Sequence, residues 1–430
     1  MHPQHVLKHE VLMMLKQFFP PSSQTTTPIG PLLTTSTIYT LAFLALFILA
    51  GCDENLISGD ADDTDAGSGQ IDAMFNGRID LNNLPNYANQ AIPNYIDKDN
   101  TQGNGITNTG ATLGRVLFYD TMLSIDNTVS CASCHQQAHA FGDPEVGSEG
   151  VNGVTNRQSM RLINARFSDE NDFFWDERAN SLEEQTTMPI QDHIEMGFSG
   201  QNGNPDINGL IERLSAQGYY QELFAAAFNS PTITEERMQD ALAQFIRSIQ
   251  SFDSKYDAGR ASVGNNNTPF PNFTAQENLG KSLFNNNTMF QNGTGNRIGG
   301  GLDCQACHRA PEFDIRPNSD NNGVVASERN PTVREFDITR SPSLRDMFNV
   351  AGELNTPLMH TGDFDTIDEV IDHYNDINAA GINNLDNRLS RGGGVNMNIT
   401  DAERAALISF LKTLSGNNVY SDEKWSNPFQ

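Results

Sequence analysis

The chain has 430 residues, of which 37% are hydrophobic, a length that accommodates roughly two to three domains with packed cores. Its formal net charge is −27 and its pI is near 4.5. Such an acidic chain repels phosphate backbones, which argues against nucleic acid as a partner. At low salt it attracts cationic partners, or the charge serves solubility alone.

An apolar run at residues 41–50, LAFLALFILA, is the first motif with a functional meaning. It is too short to cross a bilayer, which takes about 20 helical residues, but it suits the core of a secretory signal peptide. The run leads into Gly51-Cys52 and resembles a bacterial lipoprotein cleavage site. We therefore expect residues 1–51 to be a signal peptide and Cys52 to carry a lipid, so that the mature chain is a periplasmic, membrane-anchored lipoprotein. A short buried helix with a chance cysteine is the alternative.

Residues 52–72 are predicted to form a flexible tether. Residues 53–70, DENLISGDADDTDAGSGQ, are acidic and rich in Gly and Ser, and they cannot bury apolar surface. The folded body is therefore expected to begin after Ile71.

Two stretches of the body resemble each other, which indicates duplication of one small unit. The first reads LGRVLF at 113–118 and CASCH at 131–135, and the second reads LGKSLF at 279–284 and CQACH at 304–308. In both, a short helix with Leu and Phe on one face precedes a CxxCH motif. We predict two mainly α-helical domains with long loops, at 73–255 and 256–430.

Two further helices follow from apolar periodicity. Residues 235–252 place Met238, Leu242, Phe245, Ile246 and Ile249 on one face, and this helix is expected to pack against both CxxCH units. Near the C-terminus, Thr400 and Glu403 match a capping box ahead of an apolar stripe. The Asn- and Gly-rich stretch 264–300 is predicted to be loop.

The two CxxCH motifs predict covalent attachment of two c-type haems. The thiols that bond the porphyrins are those of Cys131, Cys134, Cys304 and Cys307, and the iron ligands are His135 and His308. Structural zinc is one alternative, although it usually needs four protein ligands and each motif offers three. A disulfide within each CxxC is the other.

Several further motifs make the chain similar to the bacterial dihaem cytochrome c peroxidase and MauG superfamily. They are FWDER at 174–178, LEEQ at 182–185, Pro189, EM at 195–196, PLMHTG at 357–362 and HY at 373–374. The resemblance covers nearly everything after about residue 110. It implies two c-type cytochrome domains, with a peroxidatic haem in the first and an electron-transfer haem in the second.

The resemblance also implies the catalytic residues. Glu195 is expected to move a proton between the two oxygens of hydrogen peroxide, Gln185 to hydrogen-bond in the same pocket, and Trp175 to carry electrons between the haems. From residue type alone, Glu195 would be a surface or helix-capping carboxylate and Trp175 a core residue.

The first haem is expected to have an open face. Many relatives carry a distal histidine near the position of Gly150, and here no histidine lies between His139 and His193. His139 follows the proximal His135 too closely to reach the opposite face. Reductive activation is therefore not expected.

At the second haem, the resemblance places Tyr374 where common peroxidases have a methionine ligand, as in MauG-type enzymes. Met359 is the alternative ligand. Relatives also bind calcium between the domains through an asparagine side chain and two carbonyls. Those positions are Gln158, Asn355 and Pro357 here, so the asparagine is replaced and calcium stays an open expectation.

The leading hypothesis is a peroxidase that reduces hydrogen peroxide with electrons from a small periplasmic donor, a cytochrome c or a copper protein. One rival is MauG-like, peroxide-dependent oxidation of residues in a partner protein. The other is a non-catalytic dihaem electron carrier, against which Glu195 and Gln185 speak. Homodimer formation is a further open expectation.

Overall fold

The computed structural model describes residues 69–169, 172–315, 319–327 and 339–430. This part of the chain is mainly α-helical, as the predicted fold class requires. The helices are α1 (Gly69–Phe75), α2 (Asn108–Tyr119), α3 (Cys131–Cys134), α4 (Leu182–Gln191), α5 (Ile207–Ser215), α6 (Gly218–Phe228), α7 (Glu235–Ser248), α8 (Lys255–Ala261), α9 (Ala275–Asn285), α10 (Ile367–Asn375) and α11 (Asp401–Leu411).

The strands are short and pair antiparallel, β1 with β2, β3 with β4, β5 with β6 and β7 with β8. They are β1 (Glu149–Gly150), β2 (Gly153–Val154), β3 (Thr288–Phe290), β4 (Arg297–Gly300), β5 (His308–Arg309), β6 (Asp314–Ile315), β7 (Asp376–Asn378) and β8 (Gly394–Asn396). In the described residues, no helix is long and apolar enough to span a bilayer.

Helix α1 lies where the sequence predicts the end of the tether. Ile71 and Phe75, one helical turn apart, are both buried, which explains why this short segment is helical. Residues 69–72 therefore belong to the folded part, and the predicted boundary falls inside the helix. The signal peptide, Cys52 and the rest of the tether lie outside the described residues and stay predictions.

The helix before each CxxCH motif packs against a later helix in the same way in both halves. Helix α2 packs against α7, and α9 packs against α11. A Cβ on Gly114 would collide with the carbonyl of Ala241, and a Cβ on Gly280 would collide with the carbonyl of Ala406. The glycine of each LG(R/K)xLF motif thus lets two helix backbones approach closely, and its recurrence supports duplication.

Helix α7 is shorter than predicted. It ends at Ser248 because Ile249 adopts an extended backbone, with φ −75° and ψ 103°. The predicted apolar face is buried: Met238, Leu242, Phe245, Ile246 and Ile249. The main neighbours of this helix are α2 and α4, which both lie in the first half, rather than elements of both CxxCH units.

Helix α11 begins with the predicted capping box. Thr400 Oγ1 accepts a hydrogen bond from Glu403 N–H at 3.3 Å, and the Glu403 carboxylate accepts one from Thr400 N–H at 3.0 Å. The stretch 264–300 is only partly loop, since it contains α9 and the β3–β4 pair.

Two clusters of buried apolar side chains underlie the two halves. The first draws on residues 71–249 together with Val419 and Trp425, and the second draws on residues 256–414. The C-terminal segment therefore returns to the first half, where the Tyr119 hydroxyl donates to the Trp425 carbonyl at 2.7 Å. The domain boundary at residue 255 stays a prediction. The C-terminal end of the chain, which lies beyond this boundary, packs against the first half.

Candidate haem sites

The first CxxCH motif opens onto a cavity of about 410 Å³. Cys131 and Cys134 are the terminal residues of α3, and His135 follows directly. All three line this first cavity, together with side chains from α2, α4 and α7. The helix pair described above thus forms one wall of the site.

The second CxxCH motif opens onto a cavity of about 350 Å³. Cys304, Cys307 and His308 line it, and α9, α10 and α11 supply much of the remaining wall. Each half therefore places one motif against one cavity, with the duplicated helix pair beside it.

Both motif histidines direct the same ring nitrogen to a backbone carbonyl. His135 Nδ1 lies 3.1 Å from the carbonyl of Phe141, and His308 Nδ1 lies 2.9 Å from that of Pro342. Burial lowers the pKa of both imidazoles, that of His308 to about 4, so both rings are neutral near pH 7. A neutral ring that donates from Nδ1 keeps the Nε2 lone pair for a metal ion.

The four described cysteines are free thiols, without a disulfide in either motif. Burial raises the pKa of Cys131 and of Cys304 to about 12. The described residues contain no cluster of three or more His, Cys, Asp or Glu side chains that could hold a metal ion. Two thiols and one imidazole at a large cavity fit a covalently attached haem better than a closed zinc site.

Gln185 and Glu195 line the first cavity together with His135. Glu195 follows α4, and its backbone N–H donates to Asp192 Oδ1 at 3.0 Å. Burial raises the pKa of Glu195 to about 7; Asp192 adds to the rise, and Arg178 opposes it. A carboxyl group with such a pKa can both accept and return a proton near pH 7.

The β1–β2 pair holds the backbone beside Glu195. Val151 N–H donates to the carbonyl of Glu195 at 2.9 Å, and Asn152 N–H donates to that of Ile194 at 3.1 Å. Gly150 lines the first cavity, and a Cβ there would collide with the Ile194 carbonyl and lie 2.8 Å from Glu195 Cα. This arrangement leaves no room for a side chain at the position that the resemblance links to a blocking histidine.

The two cavities share a wall. Among the described residues, the side chains that line both are Gln158, Met160, Arg161, Trp175 and Arg340. Trp175 is 9% exposed, and its indole N–H donates to the carbonyl of Gln158 at 2.7 Å. The carbonyl of Trp175 accepts from Arg340 N–H at 2.8 Å. The tryptophan is therefore held in the wall by bonds on both its side chain and its backbone.

Both candidate distal ligands of the second haem line the second cavity, Tyr374 on α10 and Met359 in the preceding loop. Asn322 contacts both, with its Nδ2 3.7 Å from Met359 Sδ and its side chain hydrogen-bonded to the Tyr374 hydroxyl. Burial raises the pKa of Tyr374, so its hydroxyl is protonated until a metal ion displaces the proton. The geometry is compatible with either ligand.

The groups linked to calcium by the resemblance have protein partners. Gln158 Nε2 donates to the carbonyl of Asp143 at 2.9 Å, and the carbonyl of Asn355 lies 3.0 Å from His139 Nδ1. Pro357 lines the second cavity. His139 is engaged with the second half in this way and is not among the described residues that line the first cavity.

Sequence reasoning missed the two arginines of the shared wall. Arg161 left a signal, because it follows Met160 and precedes the apolar pair Leu162-Ile163, and a charged residue in such a stretch is buried only with a partner. Arg340 left no local signal, since only the fold brings it to the other half.

These two cavities, each with a thiol pair and a neutral imidazole, define a protein that holds two c-type haems, and comparisons with known proteins agree. A family model described as di-haem cytochrome c peroxidase matches residues 108–263. The chain is 27% identical over 320 residues to the methylamine utilization protein MauG of Methylophilus methylotrophus, covering 73% of this chain and 84% of that protein. It is 25% identical over 316 residues to cytochrome c551 peroxidase of Nitrosomonas europaea, covering 71% and 80%.

A crystal structure of a MauG-like protein associated with microbial copper homeostasis has the same fold, with a TM-score of 0.62 and 28% identity. The match covers 80% of this chain and 99% of that protein. Over most of its length the chain is similar to members of the di-haem cytochrome c peroxidase/MauG family. This similarity implies two c-type haems and an oxidoreductase of the di-haem peroxidase type.

Proposed function

We propose that this protein is a peroxidase that reduces hydrogen peroxide to water, using electrons from a small periplasmic cytochrome c or copper protein. The observation that carries the proposal is Glu195, a largely buried carboxyl group with a pKa of about 7 that lines the same cavity as His135. The named relatives include both peroxidases and MauG proteins, so the choice between these two activities depends on the residues of this chain.

The reaction consumes hydrogen peroxide, two electrons and two protons and releases two water molecules. A haem held by His135 would supply an iron that can bind peroxide and donate electrons to it. Glu195 takes the proton from one peroxide oxygen and returns it to the other, which then leaves as water. Gln185 hydrogen-bonds in the same cavity and orients the peroxide.

An open first cavity is part of the proposal. The backbone of Glu195 is hydrogen-bonded to the turn between β1 and β2, and Gly150, next to this turn, contributes no side chain to the cavity. The imidazole of His139 is hydrogen-bonded to the carbonyl of Asn355 in the second half. These contacts support an enzyme that reacts without prior reduction. Trp175 lines both cavities and is proposed to pass electrons from the second haem to the first.

A steady-state assay tests the proposal. Haem-loaded protein, a reduced small cytochrome c and hydrogen peroxide should give sustained oxidation, with two donor molecules consumed per peroxide. A single round of oxidation without turnover would contradict the peroxidase and favour the second candidate. No reaction with peroxide at all would leave only an electron carrier.

The second candidate is MauG-like oxidation of residues in a partner protein, and Tyr374 favours it. This residue lines the cavity that also holds His308. A tyrosinate oxygen is a hard anionic ligand that favours oxidised iron, whereas methionine raises the reduction potential. The second haem could then share the oxidising power of peroxide with the first.

The ligand itself is open to a direct test. Tyr374→Phe is expected to remove the low-spin electron paramagnetic resonance signal of the second haem, because the iron loses its distal ligand. Met359→Leu is the matched control and should keep the signal. The reverse pattern would assign Met359 as the ligand.

A further inference from the structure

The shared wall between the cavities contains two cationic side chains, Arg161 and Arg340. A guanidinium group is charged at every pH at which the protein is folded, and a buried charge without a counter-ion is strongly unfavourable. We therefore ask which anions neutralise the charges of Arg161 and Arg340.

Among the described residues, Arg161 has only neutral hydrogen-bond partners. Its Nη1 donates to Thr356 Oγ1 at 3.1 Å and its Nη2 donates to the carbonyl of Ser343 at 2.8 Å. Its Nε is buried without a partner. Burial lowers the pKa of Arg161, and Asp346 opposes this only at a distance, without a direct ion pair.

Arg340 is 6% exposed, and its guanidinium stacks 4.8 Å from the centroid of the Phe173 ring. Its Nε is also buried without a partner. Its guanidinium forms no hydrogen bond or ion pair with another described residue, and its backbone N–H donates to the carbonyl of Trp175.

Three other arginines at the two cavities have carboxylate partners, and a fourth, Arg391, is exposed to solvent. Arg157 and Arg178 both pair with Asp176 at 2.7 Å, and Arg388 pairs with Asp386. The contrast singles out the two wall arginines, which line both cavities and each have a buried Nε without a hydrogen-bond partner. An anionic group on a cofactor bound in the cavities would neutralise these two charges.

We propose that Arg161 and Arg340 bind the propionate carboxylates of the two haems along the shared wall. A haem carries two propionates, and the guanidinium fork matches a carboxylate with two parallel hydrogen bonds. The inference rests on the two haems and not on the peroxide reaction.

Two consequences follow from this placement. The cations offset negative charge beside the iron, which favours the reduced state and raises the reduction potentials. Arg161 belongs to the first half and its partners Thr356 and Ser343 belong to the second, so the same side chain ties the two halves to both haems.

Spectroelectrochemical titration of the haem-loaded protein tests the proposal without any turnover. Arg161→Gln and Arg340→Gln should each lower at least one midpoint potential by about 59 mV or more, a tenfold change in a one-electron equilibrium. Arg161→Lys and Arg340→Lys keep the charge and should recover most of the shift. Arg297→Gln is the matched control, since Arg297 is buried, pairs with Glu403 and lines neither cavity.

Unchanged potentials in both glutamine variants, with two haems still attached, would overturn the proposal. If these variants mature poorly, the lysine variants decide it by resonance Raman spectroscopy. Replacing a guanidinium fork with a single ammonium group should shift the propionate bending bands, and bands identical to those of the unsubstituted protein would equally overturn it.

Discussion

Glu195→Gln is expected to lower kcat/KM for hydrogen peroxide by about 10²- to 10⁴-fold, the range for loss of a positioned proton-transfer group. Glutamine keeps the shape and the hydrogen-bonding capacity of the side chain but cannot accept a proton from peroxide. The measurement is steady-state donor oxidation at several peroxide concentrations. Glu149→Gln, which removes an exposed carboxylate at the rim of the same cavity, is the matched control and should keep its activity.

The pH dependence of the same reaction follows from the raised pKa. The base form of Glu195 is required, so kcat/KM should rise with pH through about 7 in the unsubstituted protein and lose this step in Glu195→Gln. Equal activity of the variant, or an unchanged pH profile, would contradict the role of Glu195.

The folding stability of Glu195→Gln should increase while its activity falls. A denaturant titration that shows this increase excludes misfolding as the cause of the lost activity. The pKa of Glu195 rises from 4.5 to about 7 on folding, so the protonated acid is favoured in the folded state. Ionisation above this range therefore costs stability, about 3 kcal/mol at 1.36 kcal/mol per pKa unit. At pH 8 the glutamine variant should be more stable to denaturant than the unsubstituted protein.

Gly150→Ala is expected to lower kcat/KM for peroxide about 10²-fold, although residue 150 carries no reactive group. The new Cβ would collide with the Ile194 carbonyl and lie 2.8 Å from Glu195 Cα, so the backbone that positions the carboxyl group must shift. A displacement of about 1 Å of a catalytic group costs rate on this scale. Haem content, measured by the pyridine haemochrome spectrum, should not change.

Gly105→Ala is the matched control for this steric effect, because a Cβ at residue 105 meets nothing within 4 Å. It should keep full activity. A fully active Gly150→Ala variant would show that the β1–β2 pair does not fix the position of Glu195.

Local signals predicted much of the fold. The capping box at Thr400 and the apolar face of α7 are encoded within a few turns of helix, and the structure has both. The repeated glycine, Gly114 and Gly280, also has a local signature, although its reason, close contact with a second helix, is visible only in the fold.

Long-range packing determines what the sequence did not predict. Helix α1 forms directly after a polar segment because Ile71 and Phe75 are buried against the first half, and the C-terminal Trp425 packs against the same half. The β3–β4 pair arises in a stretch whose Asn and Gly content is typical of loops.

The candidate site shows the same division. CxxCH predicts the cofactor from five adjacent residues. The position of Glu195 beside Gly150, in contrast, depends on hydrogen bonds between segments that are distant in sequence. The wall arginines are the extreme case, because only the meeting of the two halves places Arg161 and Arg340 at both cavities.

The electron paramagnetic resonance spectrum of the oxidised, haem-loaded protein tests most directly whether one of two haems offers a free face to Glu195. We expect high-spin and low-spin ferric iron in equal amounts. A spectrum of the unsubstituted protein with low-spin iron alone would contradict the account.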